Sequence, residues 1–202
     1  MIDPSLSAFL ALVNGRRGHF QLESGHHGAL WLHLDALFTD FAQVEPFVDR
    51  LTETLRPHGA AMVCGPLLGG AFLAQLVAQA LRLPFCFTER SMPNDSPGLY
   101  SARYRLPTAF HAQVRNVRIA IVDDVVSAGS ALRATRSELA AHGAIVVAAG
   151  ALLRLGDVGA ELLAAEGIPV ESVARDEYSL WLPSDCPMCA EGLPLEHPAS
   201  SV

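Results

Sequence analysis

The stretch Arg118–Arg133, RIAIVDDVVSAGSALR, decides the reading of this chain. An apolar run ends in two adjacent carboxylates, Asp123 and Asp124, and is followed by small residues, a glycine and a helical pattern. Short apolar runs of this kind suit strands buried on both faces of a parallel sheet. Ser127, Ala128, Gly129 and Ser130 then stand between such a strand and a helix N-terminus. There, small side chains let an anion reach the backbone N–H groups, and the helix dipole favours its charge. The hydroxyls of Ser127 and Ser130 add further donors. Two carboxylates beside an anion cradle are unfavourable unless they serve another part of the same ligand. A sugar phosphate satisfies both requirements, with its hydroxyls or a bound Mg²⁺ over Asp123 and Asp124. The residues therefore predict a ribose-5-phosphate site, against the plainer reading of an exposed, Asp-capped turn.

Working outward, the same strand, glycine turn, helix and strand occur upstream as AAMVC, GPLLGG, AFLAQLVAQALRL and PFCFTE. Downstream, SALRATRSELAAHG precedes AIVVAAGALL. Strands alternating with helices predict an α/β chain with a parallel sheet covered on both faces, which binds ligands beyond the carboxyl ends of its strands. Residues 5–13 read as a short amphipathic helix, and GHFQLESGHHGALWLHLD as a strand pair around Ser24-Gly25. Helical spacing returns over 41–57 and stops near Pro57. Between the two units, residues 90–116 have no clear period and several Pro, Gly, Ser and Asn. A segment this long inside a compact domain is a lid, a binding loop or disordered.

Composition narrows the function classes. Of the 202 residues 50% are hydrophobic, which suits one domain with a sizeable core. A net charge of −7 argues against a general binder of nucleic acid or of anionic membranes. No apolar run reaches membrane-spanning length, and the N-terminus lacks a basic leader, so a cytoplasmic protein is expected. Four cysteines are few for this length and point to a reducing compartment. All 14 Lys+Arg residues are arginine.

The sequence IVDDVVSAGSA resembles the phosphoribosyl-pyrophosphate (PRPP) motif of the type I phosphoribosyltransferases. The likeness extends to the orotate branch of that family. GHFQLESGHHGALWLHLDALF resembles its N-terminal segment, CGPLLGGAFLA its pyrophosphate loop, and CPMCAEGLPLE the tail of one bacterial branch. The resemblance implies a mainly parallel five-stranded sheet flanked by helices in a single domain. Within it, residues 1–40 form a small N-terminal hood, 58–175 the PRPP-binding core and 183–202 an irregular tail. It further implies a homodimer transferring phosphoribose from Mg²⁺–PRPP to a small base, with orotate the nearest substrate. Asp123 and Asp124 would meet the ribose hydroxyls, Ser127, Ala128, Gly129, Ser130 and Ala131 would hold the 5′-phosphate, and Val125 and Val126 would complete the PRPP-binding stretch. Gly65, Pro66, Leu67, Leu68 and Gly69 would lie against pyrophosphate. Arg90, Arg103 and Arg105, in the long loop, would stabilise its departure together with Asp124. Glu23, Ser24, Gly25 and Arg154 would face the base.

The chain also departs from the family pattern. Glu23 stands where a basic residue is common, Gly69 where some members carry lysine, and no loop lysine exists. An Asp-Arg pair of the family is replaced by Arg154-Leu155, which would turn the arginine to the opposite side of its strand. These features leave two alternatives: a PRPP or nucleotide sensor without transfer activity, and a salvage enzyme for a neutral or cationic base. In the tail, Cys186 and Cys189 supply only two of the four ligands that structural zinc takes. The tail is therefore read as reduced; the alternative is that Cys186 and Cys189 with His197 form half of a zinc site, completed by a second tail in a dimer. His26 and His27 read as a solvated turn or a base contact, and Trp31 and Trp181 as packing residues.

Overall fold

A computed structural model describes residues 4–22, 25–91 and 103–198. The chain opens with α1 (Pro4–Leu12), then an antiparallel pair β1 (Arg16–Gln21) and β2 (His27–Trp31), then α2 (Phe41–Leu55). The core follows as β3 (Met62–Pro66), α3 (Gly69–Leu81), β4 (Phe85–Ser91), β5 (Arg103–Arg105) and β6 (Arg118–Val126). It continues through α4 (Ser130–Ala141), β7 (Ile145–Leu155), α5 (Val158–Ala165) and β8 (Val170–Asp176). Last come β9 (Leu180–Trp181) and the single turn α6 (Pro187–Ala190).

The central sheet has the order β5-β4-β3-β6-β7-β8, parallel except for β5, which runs antiparallel to β4. Its two faces can be followed along β6. Ala120 and Val122 pack with α1, α2 and α3, whereas Ile119 and Ile121 pack with Leu132 and Leu139 of α4 and Leu163 of α5. Apolar side chains on both faces are what a parallel sheet with crossover helices requires. Helix α2 starts where the Asp40 carboxylate accepts from the Ala42 N–H at 3.1 Å, and it buries Val44, Phe47, Val48, Leu51 and Leu55 along one stripe.

The topology places the functional crevice. From β3 the chain moves to β4 on one side, while from β6 it moves to β7 and β8 on the other. The strand order therefore reverses between β3 and β6, and a crevice opens at their carboxyl ends. GPLLGG ends β3 and the acidic pair ends β6, so both quoted turns fall at this switch point.

Two expectations change. The five parallel strands are present, but a sixth joins them: Arg103–Arg105, expected within a loop, pairs with Glu89–Ser91. Backbone pairing to an edge needs no apolar periodicity, so this strand left no pattern to read. The tail is not simply irregular either. β9 extends the hairpin into a three-stranded sheet β1-β2-β9, and Glu196 bridges to Phe20. The long-loop residues 92–102 lie outside the described residues. Among the described residues no helix is long and apolar enough to cross a membrane.

Leu51 is fully buried, and its Cδ1 lies 3.0 Å from where a Cβ on Gly150 would be. Leu51→Ala is expected to lower unfolding free energy by about 2–5 kcal/mol in urea titrations, by loss of transfer energy and creation of a cavity.

Candidate active site

The acidic pair sits half-buried where β6 ends. The Asp124 N–H donates to Asp123 Oδ1 at 3.1 Å, and the Val125 N–H donates to Asp124 Oδ1 at 2.7 Å. Burial pushes the Asp123 carboxyl well above the usual carboxylate range, and the charge of Asp124 pushes it the same way. Asp124 is also raised, chiefly by burial, with Asp35 adding a smaller push. No arginine or histidine forms an ion pair with either carboxylate among the described residues.

The glycine turn of β3 packs directly on this pair. A Cβ at Gly69 would lie 2.0 Å from Asp124 Oδ2, and one at Gly70 would lie 2.8 Å from Asp123 Oδ1. The absence of a lysine at 69 thus has a local reason: any side chain there displaces the Asp124 carboxylate. The turn contains a cis peptide between Leu67 and Leu68, and Leu68 is exposed.

On the other side, Ser127 to Ala131 wrap the start of α4 around a cavity of about 60 Å³, lined by Asp123 and by residues 125–127 and 129–132. Gly129 adopts φ 71°, a left-handed conformation that costs other residues strain. The loop is braced from behind, since the Gly159 N–H of α5 donates to the Ser127 carbonyl at 3.0 Å. No side chain caps the N-terminus of α4, and none caps α3. Two helices of 13 and 12 residues therefore point uncapped N-termini into one crevice, with the carboxylates between them.

The edge hairpin contributes one candidate that the sequence concealed. Arg90 lies opposite Tyr104, Ser91 opposite Arg103, and Glu89 opposite Arg105. Strand alternation puts Arg90 and Tyr104 on one face and the other two arginines on the opposite face. Burial raises the Tyr104 hydroxyl, and Asp123 and Asp124 reinforce the shift while Arg90 opposes it. Tyr104 thus lies in the field of the acidic pair, with Arg90 beside it on the same face. A tyrosine between two arginines in a segment without period gave no sign of this, and neither did Asp35 after the hairpin.

The base-side candidates fare differently. Arg154 is turned to the α5 face, where its guanidinium donates to Asp157 Oδ1 at 2.8 Å instead of reaching the acidic pair. Glu23 and Ser24 lie outside the described residues, while Gly25 turns at φ 75° with open space around it. His27 is not part of a solvated turn: it is buried beside His19. A wider concavity of about 630 Å³ lies at the far end of α4, lined by His111, Arg115 and His142. It holds no carboxylate and no helix N-terminus, so its volume alone does not mark the chemistry.

Two uncapped helix N-termini flanking an acidic pair, set at the switch point of a parallel sheet, have the form of a ligand-binding crevice. Residues 46–176 match the phosphoribosyl transferase domain, and the chain belongs to that family of enzymes. It is 29% identical to an orotate phosphoribosyltransferase of Thermotoga petrophila over 91% of this chain and 90% of that one. It is 28% identical to another from Caldanaerobacter subterraneus over 95% and 92%. Among solved structures, the orotate phosphoribosyltransferase of Aeropyrum pernix is similar with a TM-score of 0.63 and 25% identity, over 80% of this chain and 87% of that one. The adenine phosphoribosyltransferase of Thermoanaerobacter pseudethanolicus shares the fold at a TM-score of 0.63 and 15% identity, over 85% and 99%.

The raised carboxyl of Asp123 carries a stability consequence with a definite sign. Between its unfolded and its folded values the native state binds the extra proton, so stability falls as pH rises through that window. Asp123→Asn removes the cost of burying the charge. Denaturant titrations should find the variant more stable than the parent at neutral pH. The gain should shrink on acidification and vanish below about pH 4, where the unfolded carboxyl is protonated too.

Proposed function

We propose that the chain transfers phosphoribose from Mg²⁺–PRPP to orotate, releasing pyrophosphate. The observation that carries this reading is the pair of uncapped helix N-termini flanking Asp123 and Asp124. The backbone N–H groups and hydroxyls of Ser127 to Ala131 hold the 5′-phosphate at the start of α4, with Val125 and Val126 forming the wall beneath. Asp123 and Asp124 accept from the ribose hydroxyls. Gly65 to Gly69 and the start of α3 receive the pyrophosphate. Mg²⁺ would arrive with the substrate and would neutralise the leaving group; Asp123 and Asp124, which form no ion pair among the described residues, with Asp35 nearby, suit a cation there.

Cleavage of the C1′–pyrophosphate bond builds positive charge on the ribose and negative charge on the leaving group. Catalysis is therefore charge stabilisation and water exclusion, and it requires no side-chain nucleophile. Arg90 stands best placed for the leaving group because it shares a face with Tyr104, whose hydroxyl lies in the field of the acidic pair. Arginine supplies charge and forked donors, but with a pKa above about 12 it does not act as a proton donor. A homodimer belongs to the same reading. It agrees with exposed Leu68, just before α3, and exposed Phe72 on its first turn, whose ring packs on Phe38.

One observation favours a second reading, a neutral or cationic base in place of orotate: Arg154 is engaged by Asp157, and Glu23 stands in the base-side turn. Pyrophosphate release from Mg²⁺–PRPP, measured with orotate, uracil and adenine, separates the readings. Release with orotate supports the first, and release with another base alone moves the substrate. PRPP binding with no turnover on any base makes the chain a sensor.

Two variant sets test the assignments. Asp124→Asn with Ser127→Ala should abolish PRPP binding in calorimetry while leaving the thermal midpoint at or above that of the parent. Arg90→Ala should lower kcat by about 100-fold or more, the scale of losing one transition-state donor. Arg103→Ala and Arg105→Ala, on the opposite face, should each cost less than about a tenth of that; equal losses from all three would refute the facing argument.

A further inference from the structure

Four side chains from distant parts of the chain converge beneath the hood. His19 comes from β1, His27 from β2, Cys186 from the position just before α6, and Cys189 from α6 itself. Their nearest ligand atoms all lie within 4.8 Å of one another. His19 Nε2 is 3.0 Å from His27 Nδ1, 3.4 Å from Cys186 Sγ and 3.6 Å from Cys189 Sγ. Cys189 Sγ is 3.3 Å from His27 Nδ1. A tetrahedral zinc with bonds of about 2.0–2.1 Å to nitrogen and about 2.3 Å to sulfur gives N···N edges of about 3.4 Å and N···S edges of about 3.5 Å. The N···S spacings of 3.3, 3.4 and 3.6 Å bracket their edge, and the N···N spacing of 3.0 Å is shorter than its own.

Hydrogen bonding alone accounts poorly for this arrangement. His19 Nδ1 lies 3.0 Å from the Leu193 carbonyl, which can only accept, so the ring proton sits on Nδ1. Nε2 is left with one lone pair and three polar neighbours crowded around it. A cation at the centre of the four atoms resolves the crowding, because each ligand then directs its own lone pair inward. The Leu193 contact is the outer partner that fixes the tautomer and orientation of a metal-bound histidine. Cys186 at the N-cap of α6 and Cys189 in its turn both bring their sulfur to the cluster, which supplies the second pair of ligands. His19, His27 and Cys186 are buried and Cys189 is exposed.

We propose that His19, His27, Cys186 and Cys189 bind a zinc ion that staples the C-terminal tail to the N-terminal hood. Two nitrogen and two sulfur ligands in tetrahedral array select zinc among the common divalent ions. Four protein ligands leave no open position, so the ion is structural and takes no part in phosphoribosyl transfer. In the sequence, His19 and His27 stand on either side of Glu23, Ser24 and Gly25. The staple therefore holds the two ends of the base-side turn; that consequence rests on the function proposed above, whereas the metal site does not.

The test uses the full-length, untagged protein purified without chelator. Elemental analysis should find close to one zinc per chain, and Cys189→Ser should reduce this at least about ten-fold. Cobalt(II) titrated into the demetallated parent should produce the intense visible bands of a tetrahedral ion together with thiolate-to-metal charge transfer. Strong chelation should lower the thermal midpoint, and added zinc should restore it. The proposal is overturned if the isolated protein is metal-free and neither zinc nor cobalt changes its midpoint or spectrum. It is equally overturned if the two thiols are recovered as a disulfide that zinc cannot replace after reduction. Should Cys189→Ser fail to fold, the cobalt spectrum of the parent still decides. Since metal content and spectra need no base, failure of the transfer assay and failure of this proposal remain distinguishable.

Discussion

The site depends on one close contact, that of Gly69 and Gly70 against the carboxylates of Asp124 and Asp123. A Cβ at either glycine would fall within 3.0 Å of a carboxylate oxygen. This contact brings the N-terminus of α3 alongside the end of β6, and through the β6–α4 turn it sets the spacing of the two helix N-termini. A side chain at 69 would part the two turns and separate the sites for the two ends of the ligand. The glycine that looks like a missing functional group in the sequence is thus what allows the crevice to close.

The same contact is costly in electrostatic terms. Two carboxylates are held close together, partly desolvated and without a cation partner among the described residues, and their affinity for protons rises accordingly. The surrounding sheet, with Ile119, Ile121, Ala120 and Val122 fully buried on its two faces, holds them there. Under the proposed function, substrate would offset this cost by bringing hydroxyl donors and a divalent cation to the pair. A stable core that carries an unfavourable, ligand-ready charge cluster is the usual compromise of a binding site.

Hood and tail form a second unit with its own logic. β9 joins the β1–β2 hairpin, Glu196 pairs with Arg16, and Arg17 donates to Asp176 at 2.6 Å at the end of β8. The hairpin that carries the base-side turn is therefore held by segments more than a hundred residues away in sequence. The His₂Cys₂ cluster lies at the centre of these contacts.

Much of this protein is determined locally and is legible in its sequence. Strand, acidic pair, small-residue loop and helix follow one another within Arg118–Arg133, and each needs only its neighbours to be recognised. The parallel sheet and the location of its crevice follow from the alternation of such units. What the sequence leaves open is whatever depends on residues meeting across the fold. Arg103–Arg105 became a strand by pairing with an existing edge, and Tyr104 joined the site through the face that pairing selected. Arg154 was turned to Asp157 by its register on β7. Cys186 and Cys189 look like half of a site because the other half, His19 and His27, lies about 160 residues earlier, a separation that no local pattern encodes and that folding alone closes.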